Sequence, residues 1–358
     1  MHKHNFKVGF IMKILFMIIF LFISLLEAKS LEKVSLQFHW LDQFEFAGYY
    51  MAKEKGYYKQ AGFDVEFKNY VFGMNVQDEV LNNKSTFAIG GSDLIISLSK
   101  NQNFKLLASI FQSSPLVLLA TSKSKINTIK DFKGKRVMIT PDAVSSVTFN
   151  AMMKKENLMM KDLIPLKHSF DVQDLIDGKT DLFQSYISNE PYSLIKHEIK
   201  PIIFDPKNYG FDFYSDILFT STKYYEQNPH NVIKFKKATL RGWQYAFDNI
   251  EETIDIMLKK YNTQKKNKGA LLYEAKKLKE LAYVKNIPLG NINKIKLQRI
   301  FDAYNIMNLT KNIIDFDKVF VSEKTDKNKL TIKEQEFIQK HPIVKIAGTT
   351  DSAPLLIK

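Results

Sequence analysis

The sequence predicts an α/β protein made of two lobes with a cleft between them. Three observations carry this. A strand–helix alternation runs from Val34 to about Thr121, a second one restarts at Lys130, and from Pro229 the pattern turns helical. An alternating β-α-β order requires a parallel or mixed sheet with helices on both faces. The chain has 358 residues, 45% of them hydrophobic, enough apolar material for about two such units.

Val34, Leu36 and Phe38 alternate with Ser35, Gln37 and His39, the period of a strand with unlike faces. A helix is expected over about 46–60, closed by Gly62 as a C-cap. Phe63, Val65 and Phe67 then alternate with Asp64 and Glu66. Next come a helix near 75–82, a strand at 87–89, a helix from Asp93 and strands at 104–111 and 116–121. In the second alternation, Lys130–Gly134 leads into a strand at 136–140, a helix near 145–156, a strand near 164–168 and a helix near 172–177. Short strands at 182–185 and 202–204 complete it. Val232, Phe235, Ala238, Gly242 and Ala246 recur at helical spacing, and Ile250–Tyr261 adds another helix. Lobe 1 is therefore assigned to about 34–119 and 221–321, and lobe 2 to about 120–220. A ligand is expected in the cleft, outside the carboxyl ends of the strands.

Before the lobes, Ile14–Leu26 is an apolar run broken only by Ser24, preceded by Lys3, His4, Lys7 and Lys13 and followed by Ala28. This is the pattern of a secretory signal, and the run is short for a spanning helix. Residues 1–28 are expected to be a cleaved signal or a retained anchor, placing the rest of the chain in the periplasm or facing it from the membrane.

Composition removes several function classes. The chain has no Cys, so disulfide, thiolate-metal, iron–sulfur and cysteine-nucleophile chemistry are excluded. The net charge of +14 comes almost wholly from scattered Lys, the arginines being Arg136, Arg241 and Arg299. Guanine reading and two-pronged phosphate clamping rest on Arg, so a nucleic-acid partner is not expected. Asp177-Gly178-Lys179-Thr180 imitates the end of a phosphate loop but has Gln173 where its first Gly is needed. His197-Glu198 imitates a zinc-protease helix, but Pro201 occupies the second His position. No catalytic residue and no metal site is expected.

Several stretches at expected strand ends offer binding chemistry instead. Trp40 follows the first strand directly, and Phe46 and Tyr49 follow it within Phe38–Tyr50. Flat rings with polar handles suit a planar ligand. Gly90-Gly91-Ser92-Asp93 runs from a strand into a helix start, where Ser92 and Asp93 either cap the helix or meet the ligand. Pro141–Ser146 repeats the design, with Ser145 and Ser146 at a helix start suited to an anion. Asn189-Glu190-Pro191 follows another strand, and a carboxylate there can accept hydrogen bonds from a ligand's amino group or ring N–H.

These stretches resemble a family. Trp40, Phe46-Ala47-Gly48-Tyr49 and Glu54–Val65 resemble the opening of the thiamine-pyrimidine-precursor binding proteins, which have type II periplasmic binding folds, feed importers and are related to sulfonate-binding proteins. Gly178–Pro191 resembles that family's second-lobe motif, and Arg241–Ala246 its C-terminal helix. The resemblance covers roughly Val34 to Val321. It implies stacking of Trp40 on a pyrimidine ring and reading of its amino group by Glu190 with Asn189.

The same superfamily includes the eukaryotic thiamine pyrimidine synthase, which carries pyridoxal phosphate on a Lys, consumes its own His and has a cysteine-rich iron motif. At the corresponding positions this chain has Ser92 and Ile96, and it has no Cys. The resemblance thus implies binding without a cofactor rather than synthesis with pyridoxal phosphate and iron.

Ser322–Lys329 reads as a polar linker, and 330–358 resembles the start of a family 3 solute-binding domain. That resemblance makes the chain the ligand-input region of a truncated membrane sensor kinase or cyclase as one alternative, and an importer's binding protein, handing a small heterocycle to a permease, as the other.

Overall fold

The computed structural model describes residues 30–321. The expected signal or anchor (1–28), the linker (322–329) and the second-domain start (330–358) lie outside the described residues. Among the described residues no helix is long and apolar enough to cross a membrane.

Two five-stranded sheets organise the chain. The first has the order β2-β1-β3-β10-β4 and comprises β1 (Glu32–Gln37), β2 (Phe63–Lys68), β3 (Phe87–Gly90), β4 (Phe104–Phe111) and β10 (Ser215–Ser221). The second has the order β7-β6-β8-β5-β9, from β5 (Leu116–Ala120), β6 (Arg136–Ile139), β7 (Ile164–Lys167), β8 (Leu182–Tyr186) and β9 (Ile202–Phe204). Each sheet has four strands running in one direction and one antiparallel strand inserted among them just after the chain has crossed over: β5 pairs antiparallel with β8 and β9, and β10 with β3 and β4. The crossings therefore lie at 112–115 and 205–214, ahead of the lobe boundaries expected near 119 and 220.

β10 has no counterpart among the expected strands. It is buried along its whole length and paired on both sides. Such a strand shows no in–out alternation, which is the signal used to find strands. The single helix expected over 46–60 is two helices, Ala47–Glu54 and Tyr57–Gln60, because Gly56 takes a left-handed φ of 72° between them.

In the first lobe, the helices Ala47–Glu54 and Pro229–Asp248 cover one face of the sheet. The helices Leu94–Ser99 and Lys294–Ile306 cover the other. The first pair cross at two glycines: a Cβ on Gly48 would stand 2.1 Å from the Trp243 ring, and one on Gly242 would stand 2.2 Å from the Gly48 carbonyl oxygen. Only glycine permits that approach. Lys296 ties the two crossings together, donating to the Gln112 carbonyl and, at 2.7 Å, to Asp212 Oδ2.

Candidate functional site

Parallel strands bring their carboxyl ends to one cleft of about 740 Å³. Trp40 follows β1, Tyr70 and Phe72 follow β2, and Ser92 and Asp93 follow β3. From the second lobe, Asp142 and Ser145 follow β6, His168 and Phe170 follow β7, and Asn189 and Glu190 follow β8. Peptide groups at strand ends have no ladder partner, so loops there are free to carry ligand-binding side chains.

One wall is aromatic and crosses between lobes. The Trp40 ring lies 5.5 Å from Tyr70, 5.3 Å from Phe72 and 5.5 Å from Phe170, centroid to centroid. Phe170 holds a left-handed φ of 60°, uncommon for a bulky residue. Its amide donates to His168 Nδ1 at 3.0 Å, and His168 Nε2 lies 2.9 Å from the Gln184 carbonyl oxygen. Those partners make the imidazole neutral with its proton on Nε2, and burial lowers its basicity.

The cleft lining also carries acidic groups. Glu190 Oε2 accepts from Ser185 Oγ at 2.6 Å and the Tyr186 amide at 3.0 Å. Asp93 Oδ2 accepts from Gln77 Nε2 at 2.7 Å, and burial raises its pKa. Asp142 accepts from the Ser145 amide and hydroxyl, both at 2.8 Å. Deeper lie His39, Glu45 and Asp216: His39 Nε2 is 3.9 Å from Glu45 Oε1 and 3.4 Å from Asp216 Oδ1. Burial, reinforced by Asp216, pushes Glu45 well above the usual carboxylate range, and burial pushes Asp216 up to about 7. Two facing buried carboxyls cannot both ionise cheaply, so they titrate as a pair that retains a proton. Among the described residues that line the cleft, none is Lys or Arg.

Of the residues singled out in the sequence, Trp40, Ser92, Asp93, Ser145, Asn189 and Glu190 line the cleft. The Ser92 hydroxyl is 2.7 Å from the Tyr304 hydroxyl, and the Ser145 hydroxyl is held by Asp142. Asn189 Oδ1 accepts from Lys266 Nζ of the first lobe at 2.7 Å, so Asn189 joins the lobes as well as flanking Glu190. Three residues require correction. Phe46 and Tyr49 are wholly buried in the core, Phe46 against Phe38 at 4.8 Å and Tyr49 against Trp243 at 5.6 Å. Ser146 is exposed and outside the cleft lining. The expected anion site at this helix start is also corrected, since the Asp142 carboxylate takes the Ser145 amide.

The reading from sequence missed Tyr70, Phe72 and Phe170, although the strand-end rule that selects Trp40 selects them too. It also missed the His39, Glu45 and Asp216 cluster, whose three donor atoms lie within 4.8 Å of one another. This is the cluster among the described residues able to hold a metal ion. Its third member sits on the unexpected β10.

This architecture, with two sheets, two crossings and a ligand-sized cleft, is that of the periplasmic solute-binding proteins. The chain belongs to the NMT1/THI5-like family, whose model matches residues 43–253. It is 24% identical to a riboflavin-binding protein of Chloroflexus aurantiacus over 64% of this chain and 66% of that one. The match thus spans just under two thirds of that relative's length. It is 23% identical to a formylaminopyrimidine-binding protein of Halalkalibacterium halodurans, over 64% of this chain and 71% of that one. Among solved structures, the periplasmic aliphatic sulphonate-binding protein of Escherichia coli superposes with a TM-score of 0.65 at 13% identity, over 89% of this chain and 98% of that one.

Proposed function

We propose that this chain binds a small planar heterocycle of the thiamine-pyrimidine-precursor type in the cleft between its lobes. The observation that carries the reading is the pairing of an aromatic wall, Trp40 with Phe170, with a carboxylate wall that includes Glu190. A ring stacks on the first and its N–H donors meet the second. The cleft volume lies within the range of small-molecule sites and admits one ring or several fused rings. The named ligands of the two relatives, a formylaminopyrimidine and riboflavin, share a flat nitrogen-rich ring system and agree with this chemistry. A sulfonate is less well served, because an anion would face Asp93, Asp142 and Glu190 with no Lys or Arg among the described cleft residues.

The synthase alternative fits these residues poorly. Pyridoxal phosphate requires a lysine amine for its aldehyde and cations or free amides for its phosphate. The described cleft lining has no Lys or Arg, and the amide of the Ser145 helix start is taken. On the binding reading, the ligand-bound chain is what an importer permease or a signalling module recognises outside the cytoplasm.

Calorimetry of the full chain against 4-amino-5-hydroxymethyl-2-methylpyrimidine, its 5-aminomethyl counterpart, riboflavin and an alkyl sulfonate tests the proposal. Heat with at least one heterocycle and none with the sulfonate supports it. Heat with the sulfonate alone overturns it.

A further inference from the structure

The cleft is acidic in a basic protein. The chain carries a net charge of +14, yet Glu45, Asp93, Asp142 and Glu190 all line the cleft. Glu190, Asp93 and Asp142 are held by neutral donors: hydroxyls, amides and the Gln77 side chain. None of the three forms an ion pair among the described residues. With no cation beside them, these carboxylates give the low-dielectric cleft an acidic lining.

A second observation is independent of those charges. At the floor, the Gln43 side-chain carbonyl and Glu45 Oε1 are buried acceptors with no hydrogen-bond partner. Their residues are 4% and 2% exposed, and both line the cleft. Buried acceptors left without donors are costly, and a ligand donor is the means of satisfying them. The aromatic wall completes the set, since the face of an indole attracts a cation.

We propose that the ligand is a cation: a planar heterocycle carrying a protonated amine or amidine-type group that donates to Gln43 and Glu45 while its ring packs on Trp40. This rests on the heterocycle-binding reading above and adds the ligand's charge to it. Glu45 accepts the cationic end, with Asp216 behind it, Asp93 and Glu190 supply the surrounding field, and no step of bond making is involved.

The test compares two probes of nearly equal shape: 4-amino-5-aminomethyl-2-methylpyrimidine, cationic at neutral pH, and its neutral 5-hydroxymethyl analogue. Calorimetry on the full chain is expected to show the cation binding about tenfold or more tightly at low salt, the worth of one charge-assisted hydrogen bond. That advantage should shrink at about 0.3 M salt, where exposed charges are largely screened. The Asp93→Asn variant keeps an acceptor for Gln77 and removes the carboxylate, so it should weaken the cation severalfold more than it weakens the neutral probe. A loss shared equally by both probes would mark Asp93 as structural and count against the proposal. Equal affinity of the two probes, or binding of neutral riboflavin alone, overturns the cation inference and leaves the heterocycle reading standing. Binding of none of them overturns both.

Discussion

Trp40 of the first lobe and Phe170 of the second meet with their ring centroids 5.5 Å apart, an aromatic contact across the cleft. Phe170 is presented by a left-handed residue that His168 fixes through the Phe170 amide. A ring held this way is a latch: it adds little to the first encounter and resists departure. Phe170→Ala should therefore raise the ligand off-rate about two- to tenfold, the worth of one aromatic pair, with a smaller effect on the on-rate. Stopped-flow recording of Trp fluorescence measures both. An unchanged off-rate would place Phe170 outside the ligand's exit path.

The carboxylate wall gives a sharper prediction. Glu190 is oriented by Ser185, Tyr186 and Asn189, and a glutamine can keep the Ser185 and Tyr186 hydrogen bonds through its carbonyl. Glu190→Gln should thus fold normally, with a melting temperature within a few degrees of the parent, and weaken heterocycle binding about tenfold or more. Melting curves alongside calorimetry separate the two effects. Unaltered affinity would remove Glu190 from the binding surface.

The buried carboxyl pair predicts how stability changes with pH. In the native state burial holds Asp216 up at about 7, while in the unfolded chain it titrates as an ordinary carboxyl. Between about pH 4 and about pH 7 the folded state therefore binds more protons than the unfolded one, and stability falls as pH rises. Asp216→Asn removes the Asp216 share of this linkage and leaves that of buried Glu45. Asn tolerates the left-handed φ of 53° found at this position and still accepts from Ser215 Oγ. The variant should match the parent near pH 5 and melt several degrees higher near pH 8. A parent melting temperature that does not decline from pH 5 to pH 8 relative to the variant would contradict the assignment of a retained proton.

Much of this cleft was legible because function sits where strands end. Trp40, Asp93 and Glu190 each follow a strand whose alternation or apolar run is plain in the sequence, and all three line the cleft. Asp216 was hidden because β10 is buried on both faces and pairs on both edges, so no periodicity marks it. Phe46 and Tyr49 misled for the opposite reason. They lie close to Trp40 in sequence, but the turn into the helix Ala47–Glu54 rotates both rings into the core. Nearness along the chain says nothing of facing once a helix has begun.

The same helix gives the last prediction. Gly48 lies in the Phe46–Tyr49 stretch and Gly242 in the Arg241–Ala246 stretch, two of the segments that resemble the family. They meet where the helices cross, with Gly242's missing Cβ replaced by the Gly48 carbonyl oxygen and by Ala52. The likeness of these segments therefore reports helix packing as well as ligand chemistry. Overpacking a core usually costs about 1–3 kcal/mol, and a clash with backbone, which cannot change rotamer, belongs at or above the top of that range. Gly242→Ala should accordingly lower the urea midpoint clearly, whereas Ser146→Ala, on an exposed position outside the cleft, should leave it in place. Saturating ligand should recover part of the Gly242→Ala loss by mass action, because the binding residues themselves are untouched. A Gly242→Ala midpoint equal to the parent's would show that the two helices part without cost, and would refute the close crossing.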